Sequence, residues 1–120
     1  MIFAEGVPSE KALGVTITYI SNGNYDEKVK SSTTWGGSST LDPTGVCANP
    51  NEVALKADDT GTLTSAVLVD TTGVAIDESG TQTTETGDNA ANNTLWLKLA
   101  STFTKGAYSG TITYIIADGT

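Results

Sequence analysis

The sequence contains no arginine and no histidine. Its six basic side chains are all lysine and stand against fourteen acidic ones, which gives a net charge of −8. Arginine is the usual bidentate reader of phosphate and histidine the usual acid–base catalyst, and an acidic surface repels a nucleic-acid backbone. We therefore expect no nucleic-acid partner, no catalytic residues and no enzymatic activity.

Cysteines, helical patterns and long apolar runs are also scarce. Cys47 is the one cysteine, so it has no partner for an internal disulfide, and we expect a small buried thiol rather than a reactive one. No stretch of ten or more residues carries apolar residues at the helical i, i+3, i+4, i+7 spacing. The longest apolar run is far too short to cross a bilayer. We expect neither long helices nor membrane insertion.

Threonine, glycine, serine and asparagine are abundant, and this composition favours strands and turns. With 120 residues the chain has room for one hydrophobic core, so we predict a single domain over residues 1–120. Residues 1–10 begin with a short apolar segment and continue through Gly6 and Pro8. This pattern indicates an extended arm rather than a core strand.

Alternation of apolar and polar residues marks the strands of the first half. The first predicted strand is Lys11–Ser21, and the turn signal at residues 22–24 predicts a return through Tyr25–Thr34. A short strand follows at Glu52–Ala57. The apolar run Leu63–Val69 is typical of a central strand that is buried on both faces.

The second half begins with a brief strand at Val74–Ile76. The next segment, Asp77–Asn92, has no large apolar residue, which predicts a long surface loop or an exposed hairpin. Two further strands lie between Asn93 and Thr120. Strict alternation predicts that the centre of the core is formed by Leu95, Leu97, Leu99, Val67, Val69, Ile112 and Ile116.

The total is seven or eight short strands, separated by turn signals every eight to twelve residues. This is the pattern of an all-β protein, an immunoglobulin-like antiparallel β-sandwich. The pentapeptide Thr-Ile-Thr-Tyr-Ile occurs twice, at residues 16–20 in the first strand and at 111–115 in the last. First and last strands are common places for a sandwich to be closed by a neighbouring copy.

Other candidate sites are weaker. The acids fall in turns, where capping and solubility explain them, and no spacing matches a calcium loop, so we expect no metal and no cofactor. Asn92 begins a sequon and is a candidate glycosylation site. Trp35 and Trp96 either stack on sugars or pack in a core or interface. Lys56 and Lys98, with an asparagine and an acid, leave open a self-made isopeptide crosslink.

The end of the chain resembles two groups of bacterial surface β-sandwiches. Gly106-Ala107-Tyr108-Ser109-Gly110 resembles the G-x-Y-S-G ending of class 5 chaperone/usher fimbrial subunits, and Glu10-Lys11 with the alternation of residues 15–18 resembles their donor strand. That resemblance implies a filament in which each subunit lends its amino-terminal strand to the next. Residues 108–118 are also similar to the ends of WxL cell-wall domains, although Tyr114 replaces their Trp.

We therefore predict a structural subunit of an extracellular, cell-surface filament or pilus, a homopolymer joined by β-strand addition. The alternatives are a glycan- or cell-wall-binding module and a virion decoration or tail protein. The predicted donor residues are Ile2, Phe3, Ala4, Val7, Val15, Ile17 and Tyr19. The predicted acceptor or closing strand contains Tyr108, Ile112, Tyr114 and Ile116.

Overall fold

The computed structural model describes residues 10–19, 23–80, 89–104 and 106–118. The predicted arm residues Ile2, Phe3, Ala4 and Val7 therefore lie outside the described part. Eight strands form in that part: β1 (Glu10–Tyr19), β2 (Tyr25–Ser31), β3 (Thr40–Leu41), β4 (Glu52–Asp58), β5 (Val67–Leu68), β6 (Val74–Gly80), β7 (Asn89–Leu99) and β8 (Ile112–Asp118).

The strands form two sheets, which confirms the all-β sandwich. The larger sheet has the order β1-β7-β4, and β3 and β5 pair with the start and the end of the remaining edge of β4. The smaller sheet has the order β6-β2-β8. All pairs are antiparallel except β3 with β4, which are parallel. None of the described residues forms a helix that could span a membrane.

The first two strands do not form the predicted hairpin. β1 pairs with β7 in the larger sheet, whereas β2 pairs with β6 and β8 in the smaller one. The turn signal near Gly23 therefore precedes a crossing between sheets. A turn motif sets the local direction of the chain, but the choice of partner strand depends on which faces can be buried together.

The core lies between β4 and β7 of the larger sheet and β2 of the smaller one. Val29, Leu55 and Ala57 are completely buried, and Leu95 is 4% exposed. Period-2 alternation on β4 points Val53, Leu55 and Ala57 to the same face. The predicted core residues Leu97, Leu99 and Ile112 are half-buried and pack against this cluster.

Sequence-based predictions about two parts of the chain, Leu63–Val69 and Ile116, are wrong. Leu63–Val69 is not a central strand, because residues 62–66 form turns and only Val67 and Leu68 pair with β4, at its edge. Val67 is accordingly 36% exposed, although Val69 is completely buried. Ile116 is half-buried and lies outside the central cluster.

The described parts of the polar segment Asp77–Asn92, residues 77–80 and 89–92, are strand rather than loop. The start of the segment belongs to β6 and its end to β7, and these strands lie in different sheets. Backbone pairing with β2 and β1 extends both strands into polar sequence, because the hydrogen bonds of a β-ladder join backbone groups and need no large apolar side chain. Residues 81–88 lie outside the described part.

Replacing Leu55 with Ala should destabilise the fold by about 2–5 kcal/mol, because the side chain is completely buried and its loss leaves a cavity. The matched control is Leu63→Ala, at a side chain that is 39% exposed, which should cost less than about 1 kcal/mol. Urea denaturation monitored by Trp fluorescence measures both values. Equal costs for the two variants would contradict this placement of the core.

Candidate functional site

Sheet edges carry unpaired backbone groups, and proteins usually protect them with short strands, bulges or charges. Two edges of the described sandwich are protected in this way. β3 and β5, which share one edge of β4, contain two residues each. β6 is the other protected edge, because its register with β2 shifts twice beside Glu27 and it carries Asp77.

β1 is an unprotected edge strand. Its ten residues pair with β7 without a register shift, and no strand of the described part pairs with its other edge. The strand contains no proline, and its charged residues are confined to the first two positions, Glu10 and Lys11. A long, regular edge with few charges is a template for strand addition.

β8 is the second unprotected edge strand. Its seven residues pair with β2 in continuous register, and its other edge has no partner among the described strands. No proline and no charged residue occur before Asp118 at its end. The repeated Thr-Ile-Thr-Tyr sequence therefore lies at both unprotected edges, residues 16–19 in β1 and residues 111–114 at the start of β8.

The two unprotected edges lie on the same side of the sandwich. β6 contacts β4 and β5, which are at the far end of the larger sheet from β1. Because β2 separates β6 from β8, β8 lies on the side of β7 and β1. The protected edges β6, β3 and β5 are grouped on the opposite side.

Leu13 marks the uncovered part of the larger sheet. It pairs with Leu95, so its side chain is on the inner face of the sheet. Leu95 is 4% exposed, but Leu13 is 51% exposed. The smaller sheet covers β7 and leaves this position on β1 open to solvent. An apolar position of this kind beside two open edges suits an added strand.

The predicted donor residues on β1 and acceptor residues on β8 line this side. Val15, Ile112 and Tyr114 are half-buried and pack against the core cluster. Ile17 and Ile116 are half-buried on β1 and β8. The remaining β1 residue, Tyr19, has its ring centroid 4.8 Å from that of Tyr25.

Tyr108 was predicted in the closing strand but lies in the segment before β8. Its ring packs edge-on against Phe103 at 4.6 Å, and its hydroxyl donates a hydrogen bond to the Thr104 carbonyl. A Cβ at Gly37 would come within 2.7 Å of the Tyr108 ring, and a Cβ at Gly110 would collide with the Trp35 indole. Gly37 therefore leaves room for the Tyr108 ring, and Gly110 leaves room for the Trp35 ring.

The two tryptophans are packed inside the molecule. Trp35 is 9% exposed and its indole N–H donates to Ser31 Oγ. Trp96 is 7% exposed, on the face of β7 opposite Leu95. Sugar stacking needs an exposed aromatic face. Neither tryptophan offers one, so the packing interpretation holds.

The turn acids act as local hydrogen-bond acceptors, as predicted. Asp58 accepts bonds from the Thr60 and Thr62 N–H groups and from the Thr60 and Ser65 hydroxyls. Asp42 accepts from the N–H groups of Thr44 and Cys47. These bonds hold the pKa of both carboxyls below the ordinary value, against the effect of burial.

Cys47 is buried, as expected. It packs with Ala54 and Ala100. Burial raises the pKa of its thiol to about 11. The thiolate, which is the reactive form, is therefore scarce at neutral pH.

The remaining candidates do not assemble a reactive site. Lys98 donates to the Gly45 carbonyl. Alternation puts Lys56 and Lys98 on the opposite face of the sheet from Asn93, so they cannot form an isopeptide with it. Asn92 is exposed and its Oδ1 accepts a bond from the Thr16 hydroxyl. Within the described ranges, no three His, Cys, Asp or Glu side chains form a group that could hold a metal ion.

An open cleft of about 270 Å³ lies near the starts of β8 and of the β2–β3 loop. It is lined by hydroxyl side chains and one ammonium group, from Lys30, Ser31, Ser32, Thr33, Thr71, Thr111 and Thr113. These residues include no carboxylate, thiol or imidazole.

Sequence reasoning missed a polar pair between the two sheets. Glu27 on β2 is 1% exposed and Asn93 on β7 is 3% exposed, and Asn93 Nδ2 donates to Glu27 Oε1 at 2.6 Å. The signal was present in the alternation, which puts Glu27 in phase with Val29 and Asn93 in phase with Leu95.

Comparison of the chain with protein-family models, with curated proteins and with solved structures found no match. The resemblance to class 5 fimbrial subunits and to WxL domains stays a prediction.

Replacing Gly110 with Ala should destabilise the fold by about 1–3 kcal/mol, because the new methyl group must displace the buried Trp35 ring. Gly14→Ala is the control, since a Cβ at Gly14 has no atom within 4 Å, and its effect should stay within about 0.5 kcal/mol. Thermal unfolding at low protein concentration compares the two. If Gly110→Ala is as stable as the parent, the segment before β8 does not pack on Trp35.

Proposed function

We propose that this chain is a structural subunit of an extracellular filament or pilus. Copies join by β-strand addition at the side of the sandwich that carries β1 and β8. The proposal includes the immunoglobulin-like character of the sandwich and a location at the cell surface. It assigns the protein no catalytic activity.

The uneven protection of the edges carries this proposal. Shortness protects β3 and β5, and bulges with an acid protect β6, whereas ten residues of β1 and seven of β8 are left regular and nearly uncharged. A monomeric protein usually protects every exposed edge, because an open one promotes aggregation. Open edges on one side are explained if a partner strand covers them in the assembled state.

The exposure of Leu13 also supports assembly at the side that carries β1 and β8. A strand added beside β8 extends the smaller sheet towards β1 and covers the inner face around Leu13. Burying a leucine side chain contributes roughly 1.5–3 kcal/mol, in addition to the new backbone ladder. The burial of both tryptophans removes the main support for the glycan-binding alternative.

Leu13→Glu should abolish assembly, because it places a charge on the uncovered inner face beside the open edges. Ala75→Glu on the protected edge strand β6 is the matched control, since it adds the same charge opposite Lys28 and should assemble like the parent. Negative-stain electron microscopy and sedimentation velocity measure the outcome. A parent protein that stays monomeric at high concentration would show that the filament proposal is wrong.

Removing residues 1–9 should shorten the assemblies without abolishing them, because β1 supplies the longer ladder and the arm adds to it. Ile17→Asp in β1 should have the larger effect. The length distribution of filaments in electron micrographs compares the two variants. Complete loss of assembly in the truncated chain, with normal filaments for Ile17→Asp, would instead assign the donor role to the arm.

A further inference from the structure

Glu27 is a carboxyl group in the interior that has acids rather than cations around it. It is 1% exposed and lies on the core face of β2, in register with Asp77 of β6 and Ile116 of β8. Burial raises its pKa, and the negative charges of Asp77 and Asp59 raise it further. The hydrogen bond from Asn93 acts in the opposite direction and is the second-largest influence.

The side-chain amide of Asn93 lacks a hydrogen bond at its oxygen. Its Nδ2 donates to Glu27 Oε1, but its Oδ1 is buried and accepts no hydrogen bond from any described group. An unsatisfied buried acceptor costs about 1–3 kcal/mol. An ionised Glu27 has no proton to offer it, whereas a protonated carboxyl next to a primary amide can return one.

We propose that Glu27 is a neutral carboxylic acid in the folded protein, and that it forms a two-way pair with the Asn93 amide. Asn93 Nδ2–H donates to one carboxyl oxygen, and the proton on the other oxygen donates to Asn93 Oδ1. The pair joins β2 of one sheet to β7 of the other, so loss of that proton leaves an uncompensated charge between the sheets.

The other groups around this pair favour the neutral form. Asp77 comes from β6, Asp59 from the turn after β4, Tyr25 from β2 and Tyr114 from β8. Burial raises the pKa of Tyr114 to about 12, and its buried hydroxyl has no hydrogen-bond partner among the described groups. Val15 is the β1 residue opposite Asn93 and brings no charge.

The proposal predicts that mild acid increases the folding stability of the sandwich. A carboxyl whose pKa is raised on folding contributes its full stability below the unfolded pKa, ordinarily 4.5, and loses it as the pH rises through the folded pKa. The folded-to-unfolded ratio should therefore increase as the pH falls from 7 towards 5, by up to about tenfold per pH unit for one proton.

Glu27→Gln tests the pair directly, because an amide keeps both hydrogen bonds to Asn93 and cannot ionise. Its urea-unfolding midpoint at pH 7 should equal or exceed that of the parent, and its dependence on pH between 5 and 7 should be weaker. Asp59→Asn is the control for the neighbouring acid, whose pKa is also raised by burial. A Glu27→Gln variant that is strongly destabilised at pH 7 would overturn the proposal, because it would show that the carboxylate is needed.

A titration of the native protein gives a readout that does not depend on any variant folding well. The sequence contains six glutamates, and ¹³C-carboxyl labelling resolves them by NMR. One resonance should titrate above the ordinary value and disappear in Glu27→Gln. If every glutamate titrates at or below the ordinary value, Glu27 is ionised in the folded chain and the proposal is wrong.

Discussion

The apolar seam between β4 and β2 is the contact on which the rest of the structure depends. Val53 and Leu55 of β4 and Val29 of β2 are each at most 1% exposed and belong to one cluster. Burying such side chains contributes roughly 1.5–3 kcal/mol each, and it sets which strands of the two unequal sheets face each other. The smaller sheet has three strands and is centred on this contact. On one side its strand β6 contacts β4 and β5, and on the other side the sheet does not cover Leu13 of β1.

The sequence predicts the fold class because alternation is a local property. Val53, Leu55 and Ala57 show which face of β4 is buried, and the same reasoning holds for Leu95 on β7. Strand partners could not be predicted in this way. The turn before β2 suggests a hairpin, but the partner of β1 is β7, seventy or more residues later in the chain. The alternation of apolar and polar residues within one strand contains no information about which distant strand it pairs with.

The candidate site was only partly accessible from the sequence. The repeated Thr-Ile-Thr-Tyr segment drew attention to β1 and β8, but their placement on one side follows from the sheet order. Glu27 was overlooked because a glutamate in a polar strand is normally solvent-exposed. It becomes conspicuous only when the neighbouring sheet brings Asn93 within hydrogen-bonding distance. Both features thus depend on long-range packing.

The distribution of lysines has a consequence for proteolysis. With no arginine in the chain, trypsin can cleave only after lysine, and five of the six lysines are strand residues: Lys11, Lys28, Lys30, Lys56 and Lys98. A protease must bind its substrate as a separate extended segment, so these bonds become accessible only when a ladder opens. The described turns, which are ordinarily the first places to be cut, offer trypsin no target. Cleavage after these five lysines therefore measures how often the sheets come apart.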